Sequence, residues 1–162
     1  MTAEQYTKWT APFRGKRARL VPLTDRALTA VTYLCYPALI AWQWYTGGGI
    51  PWRELWVPAS WLVIVTLLRS LIDRPRPYEQ LDISPLIRKE TKGHSFPSRH
   101  AFSVFVIAMT GWAVWPLLGG LLTVVGVLLC FIRVLGGVHY PLDVAVGAAV
   151  GTVAGLVGYG LI

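Results

Sequence analysis

Residues 101–132 read "AFSVFVIAMTGWAVWPLLGGLLTVVGVLLCFI", and Cys130 is their only ionisable side chain. A single α-helix of this length would extend about 48 Å, whereas the hydrocarbon core of a bilayer is about 30 Å thick. Near the middle, residues 115–120 read "WPLLGG", and this combination of proline and glycine favours a turn. The stretch therefore predicts two membrane-spanning helices joined by a tight turn.

The composition extends this interpretation to the whole chain. Of its 162 residues, 54% are hydrophobic and only 14% are charged, whereas about a quarter of the residues in soluble domains are charged. Three further apolar segments, near 27–45, 54–72 and 141–162, are each long enough to span a bilayer. We therefore expect an all-α integral membrane helical bundle with about five transmembrane helices, forming a single domain over residues 1–162.

The first 26 residues are different because they are polar and basic. They include "KWTAPFRGKRARLVPLTDR" at 8–26 and lack the apolar core of a cleavable signal peptide. Basic side chains of this kind meet anionic lipid headgroups at a membrane surface. Residues 1–26 are predicted to form an amphipathic interfacial segment, with a flexible basic tail as the alternative, and residues 27–162 to form the transmembrane core.

Five spans divide the polar segments between two sides of the membrane. The N-terminus, the loop 73–97 and the turn 133–140 fall on one side, and Arg53 is the only Lys or Arg that clearly falls on the other. All three histidines belong to the cationic side. Ionisable groups at the ends of membrane spans are typical of functional sites, so this end of the bundle is the candidate site.

Three motifs contribute to the cationic end. They are "RSLIDRPRP" at 69–77, "FPSRH" at 96–100 and "RVLGGVHYPLD" at 133–143. Arg69 and Arg76 are seven residues apart, close to two helical turns, and His139 and Asp143 are four apart, so the carboxylate can reach one ring nitrogen. Each side chain alone has a structural explanation, since arginines near span ends anchor helices in the interface and a serine caps a helix.

The residue types in these motifs indicate phosphoryl transfer. Guanidinium groups are planar forks that match phosphate oxygens. Two histidines can divide a two-step displacement, one attacking phosphorus and the other giving a proton to the leaving oxygen, and a carboxylate can fix the tautomer of the attacking imidazole. Arginines can neutralise the phosphoryl oxygens without a metal, and the sequence contains neither a paired CxxC nor an HExxH motif.

Together the three motifs resemble the pattern of the type 2 phosphatidic acid phosphatase superfamily, which is K-x6-RP, PSGH and SR-x5-H-x3-D. The resemblance covers Arg69 to Asp143. It implies that His139 is the nucleophile and forms a phosphohistidine, that Asp143 orients it and that His100 protonates the leaving group. It also implies a set of residues that hold the phosphoryl oxygens, namely Arg69, Arg76, Ser98 and Arg133.

Three positions depart from the family pattern. Arg69 replaces the family lysine and keeps its charge, and Ile132 replaces the serine before the motif arginine. Arg99 replaces the glycine of PSGH and adds a cation beside the phosphate, where it either binds a second phosphate or turns away. None of the departures removes a catalytic group, and Arg99 becomes a further candidate substrate-binding residue.

The predicted function is an integral membrane lipid phosphatase that needs no cofactor or metal. Its substrate brings a phosphate or diphosphate to the interface while its tail stays in the bilayer, as polyprenyl phosphates and diphosphates, phosphatidylglycerophosphate and phosphatidic acid all do. Arg88, Lys89 and Lys92 of the long loop either bind a larger anionic head or are solvated. The alternatives are an anion transporter or channel with an arginine selectivity ring, and a vanadate-dependent haloperoxidase, which the apolar spans disfavour.

Two expectations concern orientation and assembly. The basic residues of the N-terminal segment oppose only Arg53, so the positive-inside rule places the N-terminus and the site on the cytoplasmic side of the cell membrane; a site facing outward is the alternative. Gly147, Gly151 and Gly155 form a small-residue face that predicts close helix packing, within the chain or in a homodimer. No nucleic-acid partner is expected.

Overall fold

The computed structural model describes residues 1–161, and all the regular secondary structure of these residues is helical. The helices are α1 (Ala3–Thr10), α2 (Leu20–Gly47), α3 (Trp52–Ile72), α4 (Pro77–Gln80), α5 (Arg99–Val114), α6 (Pro116–Leu135) and α7 (Pro141–Tyr159). Short 3₁₀ segments, Ala11–Phe13 and Gly15–Arg19, connect α1 to α2. The all-α class predicted from the sequence is confirmed.

Among residues 1–161, three segments are long and apolar enough to cross a membrane. They are Trp52–Gln80, which contains α3, Pro116–Leu135, which is α6, and Pro141–Tyr159, which is α7. Helix α5 is apolar but shorter, with 16 residues. The chain is therefore a membrane protein, and the count of five spans stays a prediction.

Helix α5 lies at the centre of the bundle and packs against α2, α3, α6 and α7. Its buried Phe102 and Val106 belong to a core cluster that also contains Leu122 of α6, Ala154 of α7 and Val65 of α3. In lipid the association of helices depends on close van der Waals packing. The central position of α5 matters for function because the second motif forms its N-terminus.

The glycine face of α7 is buried within the chain, against α5. A Cβ atom on Gly147 would lie 2.5 Å from the carbonyl oxygen of Ser98, and one on Gly151 would lie 2.5 Å from that of Phe102. The same approach lets the amide of Ser98 donate a hydrogen bond to the carbonyl oxygen of Asp143 at 2.9 Å. Glycine packing thus brings the second and third motifs together.

The turn predicted inside residues 101–132 lies between α5 and α6. The amide of Trp115 donates to the carbonyl oxygen of Gly111 at 2.7 Å, and Pro116 starts the next helix. The ring of Trp115 stacks on that of Trp42 with centroids 6.1 Å apart. This hairpin turn lies at the end of the bundle opposite the three motifs, as the alternation of helices requires.

Helix α2 begins at Leu20, seven residues before the start predicted for the first span. The early start follows from tertiary contacts, because Val21 packs against Ile87 and Val138. The preceding helix α1 also docks on the bundle, where the buried Tyr6 accepts a hydrogen bond from the amide of Leu86 at 3.2 Å. The assignment of residues 1–26 to the membrane surface stays a prediction.

The long loop 73–97 folds across the end of the bundle. Both carboxylate oxygens of Glu79 accept hydrogen bonds from the amide of Gly93, at 2.9 and 3.1 Å. The amide of Ile87 donates to the carbonyl oxygen of Gly136 at 3.1 Å, and the amide of Ser95 donates to that of Arg74 at 2.8 Å. These bonds hold the first motif against the other two.

Candidate active site

His139 lies in the turn between α6 and α7 and is only 2% exposed. Asp143 follows in the first turn of α7, where its Oδ2 accepts a hydrogen bond from the amide of Tyr140 at 2.9 Å. The distance from His139 Nδ1 to Asp143 Oδ2 is 3.7 Å, within ion-pair range. The predicted pairing is thus present, with Nδ1 facing the carboxylate, which leaves Nε2 as the ring nitrogen free to react.

The turn that carries His139 depends on a glycine. Gly137 has a φ of +76°, and a Cβ atom there would lie 2.8 Å from the hydroxyl oxygen of Tyr6. A left-handed backbone and a close aromatic neighbour both favour glycine. The N-terminal helix therefore supports the turn that positions His139.

Two further side chains hold Asp143, and the sequence predicts neither in this role. The hydroxyl of Ser95 donates to Asp143 Oδ2 at 2.5 Å and lies 3.4 Å from His139 Nδ1. The Nη1 of Arg74 donates to Asp143 Oδ1 at 2.9 Å. Ser95 lies one residue before the FPSRH motif, and Arg74 lies inside the first motif. Only this closeness to the motifs in the sequence could have indicated that the two side chains contact Asp143.

The environment of His139 keeps its imidazole neutral at physiological pH. Burial lowers the pKa of His139 to about 4, and the charges of Arg76 and Arg133 act in the same direction, while the nearby carboxylate of Asp143 opposes them. A neutral imidazole has a free lone pair, which a nucleophile needs. Asp143 can still stabilise the positive charge that develops on the ring as Nε2 attacks.

Arg69 and Arg76 are both buried beside the segment that precedes α5. The Nη atoms of Arg69 donate hydrogen bonds to the carbonyl oxygens of Pro97 and His94. Arg76 donates from Nε to Gly93 at 3.1 Å and from Nη1 to the turn carbonyl before His139 at 3.3 Å. A guanidinium has five N–H donors, so each arginine braces the backbone and retains donors for an anion.

Arg133, at the end of α6, forms a buried ion pair that the motifs do not reveal. Its Nε lies 2.7 Å from Asp25 Oδ1 in α2, without the angles of a hydrogen bond. Its Nη1 has no hydrogen-bond partner among the described residues. Leaving a buried charged donor without a partner is costly, and a phosphoryl oxygen is the kind of acceptor that would satisfy it.

The second motif supplies the N-terminus of α5. Ser98 is buried and its Oγ accepts a hydrogen bond from the amide of Ala101 at 3.4 Å, which caps the helix. His100 is half-buried in the first turn, within electrostatic range of His139 and Arg133. The structure therefore gathers the predicted nucleophile, acid and phosphate ligands at one end of the bundle.

Two cations of the site region lie apart from this group. Arg99 is exposed and lines a neighbouring cavity instead. Lys89 of the long loop is partly buried; burial first, and then the charges of Arg133 and Arg76, lower the pKa of Lys89 to about 8. Lys89 is thus a partly buried cation beside the site, whereas the sequence alone allowed either anion binding or solvation.

Comparison with known proteins shows the family to which the chain belongs. The sequence model of the PAP2 superfamily matches residues 52–162. The bacitracin transport permease protein BcrC of Bacillus licheniformis is 33% identical over 95 residues, which are 58% of this chain and 46% of BcrC. The match therefore spans about half the length of this curated relative.

Two solved structures share the fold. The crystal structure of Aquifex aeolicus LpxE superposes with a TM-score of 0.74 at 23% identity, covering 98% of this chain and 94% of that one. The transmembrane PAP2 type phosphatidylglycerolphosphate phosphatase from Bacillus subtilis superposes with a TM-score of 0.65 at 20% identity, covering 96% and 91%. At these identities the similarity shows the fold.

Proposed function

Because the chain belongs to the PAP2 superfamily, we propose that it is a membrane lipid phosphatase that hydrolyses a phosphomonoester or diphosphate through a phosphohistidine. The observation that carries the proposal is the buried pair of His139 and Asp143, set among guanidinium groups at the end of an apolar helical bundle. An anion placed there meets a neutral nucleophile and several cations. The active site is proposed to lie at the membrane interface.

The chemistry proceeds in two displacements. Nε2 of His139 attacks phosphorus, the bond from phosphorus to the leaving oxygen breaks, and His100 gives that oxygen a proton. His100, now neutral, takes a proton from water, whose oxygen attacks phosphorus and breaks the bond to His139. Phosphate leaves, and both histidines return to their starting states. Asp143 stabilises the charge on the His139 ring in both displacements.

The arginines stabilise the charge on the three non-bridging oxygens, the role that the resemblance implies for Arg69, Arg76 and Arg133, with the helix cap Ser98 as a further ligand. Donors fixed before the substrate arrives cost little reorganisation during the reaction. Arg69 and Arg76 are fixed in this sense by their backbone bonds. The unpartnered Nη1 of Arg133 supports its role most directly.

The lipid remains within the classes named by chemistry: polyprenyl phosphates and diphosphates, phosphatidylglycerophosphate and phosphatidic acid. One structure with this fold is a phosphatidylglycerolphosphate phosphatase, which supports phosphatidylglycerophosphate as the substrate. The relative BcrC is named as a transport permease, which makes anion transport the second candidate function. Transport would not require the buried bond network around His139.

The test is phosphate release by purified protein in detergent, with a chelator present, from each of these lipid phosphates. His139→Ala should abolish release, and His100→Ala should lower kcat by roughly 10²-fold, as loss of a general acid does. A denaturing alkaline quench with ³²P-labelled substrate should trap label on the wild-type protein and none on His139→Ala, because a phosphohistidine survives alkali and is hydrolysed by acid. Arg17→Gln, at an exposed site away from the motifs, is the control and should keep full activity.

Full release by a folded His139→Ala variant would refute the enzyme assignment. If the wild-type protein instead releases no phosphate but carries phosphate across vesicle membranes, transport is the correct function.

A further inference from the structure

A second cationic cavity lies beside the proposed phosphoryl site, between the end of α3 and the start of α5. Its volume is about 170 Å³, and its lining residues are Thr66, Arg69, Ser70, His94 and Arg99. This is the space of roughly six water molecules, enough to admit a phosphoryl group. The lining offers two guanidinium groups, an imidazole and two hydroxyls, and no carboxylate.

Neither guanidinium group of this cavity forms an ion pair with a carboxylate of the described residues. Arg69 and Arg99 are close enough for their charges to act on each other, and Arg99 takes part in none of the ion pairs formed by the described residues. The nearby carboxylate of Asp73 lies 3.2 Å from Nδ1 of His94, on the ring rather than between the guanidinium groups. An anion in the cavity would relieve the repulsion between the two arginines and accept their hydrogen bonds.

The cavity adjoins the proposed phosphoryl site at Arg69, which belongs to both. Arg69 lines it and also braces Pro97, next to the helix cap. Arg99 lies between Ser98 and His100 in the sequence, and its charge acts on His100. It is also the position where the PSGH pattern has glycine, so the cavity owes its second cation to this departure.

We propose that this cavity binds a second phosphoryl group of the same lipid. The proposal rests on the lipid phosphatase function and narrows it: the preferred substrate carries two phosphate-type anions, as a lipid diphosphate does. One phosphoryl group lies on Nε2 of His139 and reacts, and the other lies between Arg69 and Arg99. A lipid monophosphate fills only the first position.

The other basic cavity suits a second phosphate less well. It is lined by Pro85, Arg88, Lys89 and Glu90 of the long loop. The carboxylate of Glu90 would repel a phosphate there, and at about 560 Å³ the cavity is wider than one phosphoryl group needs. Lys89 therefore serves as the comparison in the test.

The test compares a polyprenyl monophosphate and a polyprenyl diphosphate with the same tail, in neutral detergent. Arg99→Gln should lower kcat/KM for the diphosphate by roughly 10- to 100-fold, the effect of losing a charge-assisted hydrogen bond, and should lower it much less for the monophosphate. Arg99→Lys should recover part of the loss. Lys89→Gln and Arg88→Gln should leave the ratio of kcat/KM for the diphosphate to kcat/KM for the monophosphate at its wild-type value.

A binding measurement separates this proposal from the enzyme assignment. In a His139→Ala background, calorimetry should show that Arg99→Gln weakens the binding of inorganic diphosphate by roughly tenfold more than it weakens the binding of inorganic phosphate. If the wild type hydrolyses none of the lipid phosphates named above, the proposed function is wrong, and this binding ratio alone decides whether the cavity takes a second phosphate.

Three results would overturn the cavity assignment. One is an equal loss on both substrates in Arg99→Gln, which would place Arg99 on the reacting phosphate. Another is a change in the ratio of the two kcat/KM values that is seen in Lys89→Gln but not in Arg99→Gln. The third is an Arg99 effect that requires phosphatidylglycerol in phosphatidylcholine vesicles, since the second anion would then be a neighbouring lipid.

Discussion

Asp143 is held by groups from three separate parts of the chain. Its Oδ2 accepts hydrogen bonds from Ser95 Oγ at 2.5 Å and from the amide of Tyr140 at 2.9 Å, and its Oδ1 accepts from Arg74 at 2.9 Å. The guanidinium of Arg74 also lies over the ring of Tyr140, 4.7 Å from its centroid. A carboxylate restrained in this way can hold the His139 ring in one orientation.

We predict that Ser95 is a positioning residue. Ser95→Ala removes a buried donor and should lower kcat by about tenfold, for a loss of about 1.5 kcal/mol, with KM nearly unchanged. Ser60→Ala, at an exposed serine of α3, is the matched control and should have wild-type kinetics. A Ser95→Ala variant with wild-type kcat would show that Arg74 and the backbone suffice.

A second prediction concerns the titration of His139. Its pKa of about 4 in the folded protein is below the value near 6.5 of an unfolded histidine. The unfolded chain therefore binds more protons between these pH values, so folding stability rises with pH across the window and falls as the pH drops towards 4. Across the whole window this difference in pKa changes the free energy of unfolding by about 3 kcal/mol.

Nitrogen NMR of ¹⁵N-histidine-labelled protein in detergent, with His139→Gln used for assignment, should show His139 titrating near pH 4 in the absence of substrate. A midpoint near 6.5 would mean that the ring is hydrated, and would remove the argument for a neutral nucleophile.

At the scale of elements, the approach of α7 to α5 positions the site. Gly151 permits this approach, because a Cβ atom there would lie 2.5 Å from the carbonyl oxygen of Phe102 and 3.1 Å from the Cβ of Phe105. Backbone cannot move aside as a flexible side chain can, so even alanine must separate the helices. The same separation would draw Asp143 away from Ser98.

We predict that Gly151→Ala destabilises the protein, although alanine has the higher helix propensity. Overpacking should cost about 1–3 kcal/mol, seen as a lower melting temperature in detergent, and activity should fall with it. Gly120→Ala in α6 is the matched control, since its Cβ would make only an ordinary contact, 3.7 Å from the Trp112 ring. Equal melting temperatures for the two variants would contradict the packing argument.

At the scale of the whole molecule, the two ends of the bundle differ in charge. The site end holds the N-terminal segment, the long loop and the turn with His139, which are joined by contacts such as Arg14 Nη2 to the carbonyl oxygen of Ser84 at 3.5 Å. The opposite end holds Arg53, whose Nε donates to the carbonyl oxygen of Gly158 at 2.7 Å. This asymmetry is the physical basis for an orientation in the membrane.

We predict a cytoplasmic N-terminus and site, with the C-terminus on the outer side. A periplasmic-type phosphatase reporter fused after Ile162 should be active, and a fluorescent reporter that folds only in the cytoplasm should be bright only at the N-terminus. Cytoplasmic reporter activity at the C-terminus would reverse the orientation and place the site on the outer face.

The sequence by itself determined the apolar segments within α2, α3, α5, α6 and α7, the turn inside residues 101–132 and the identity of the three motifs, because apolar runs, turn residues and short spacings are local properties. Contacts across long separations were decided only by the tertiary structure. Arg133 meets Asp25 because α2 packs beside α6, and Ser95 and Arg74 reach Asp143 because the long loop folds over the bundle. The cavity at Arg99 exists for the same reason: its walls come from two helices and a loop, and their relative placement follows from packing and glycine contacts that no single segment encodes.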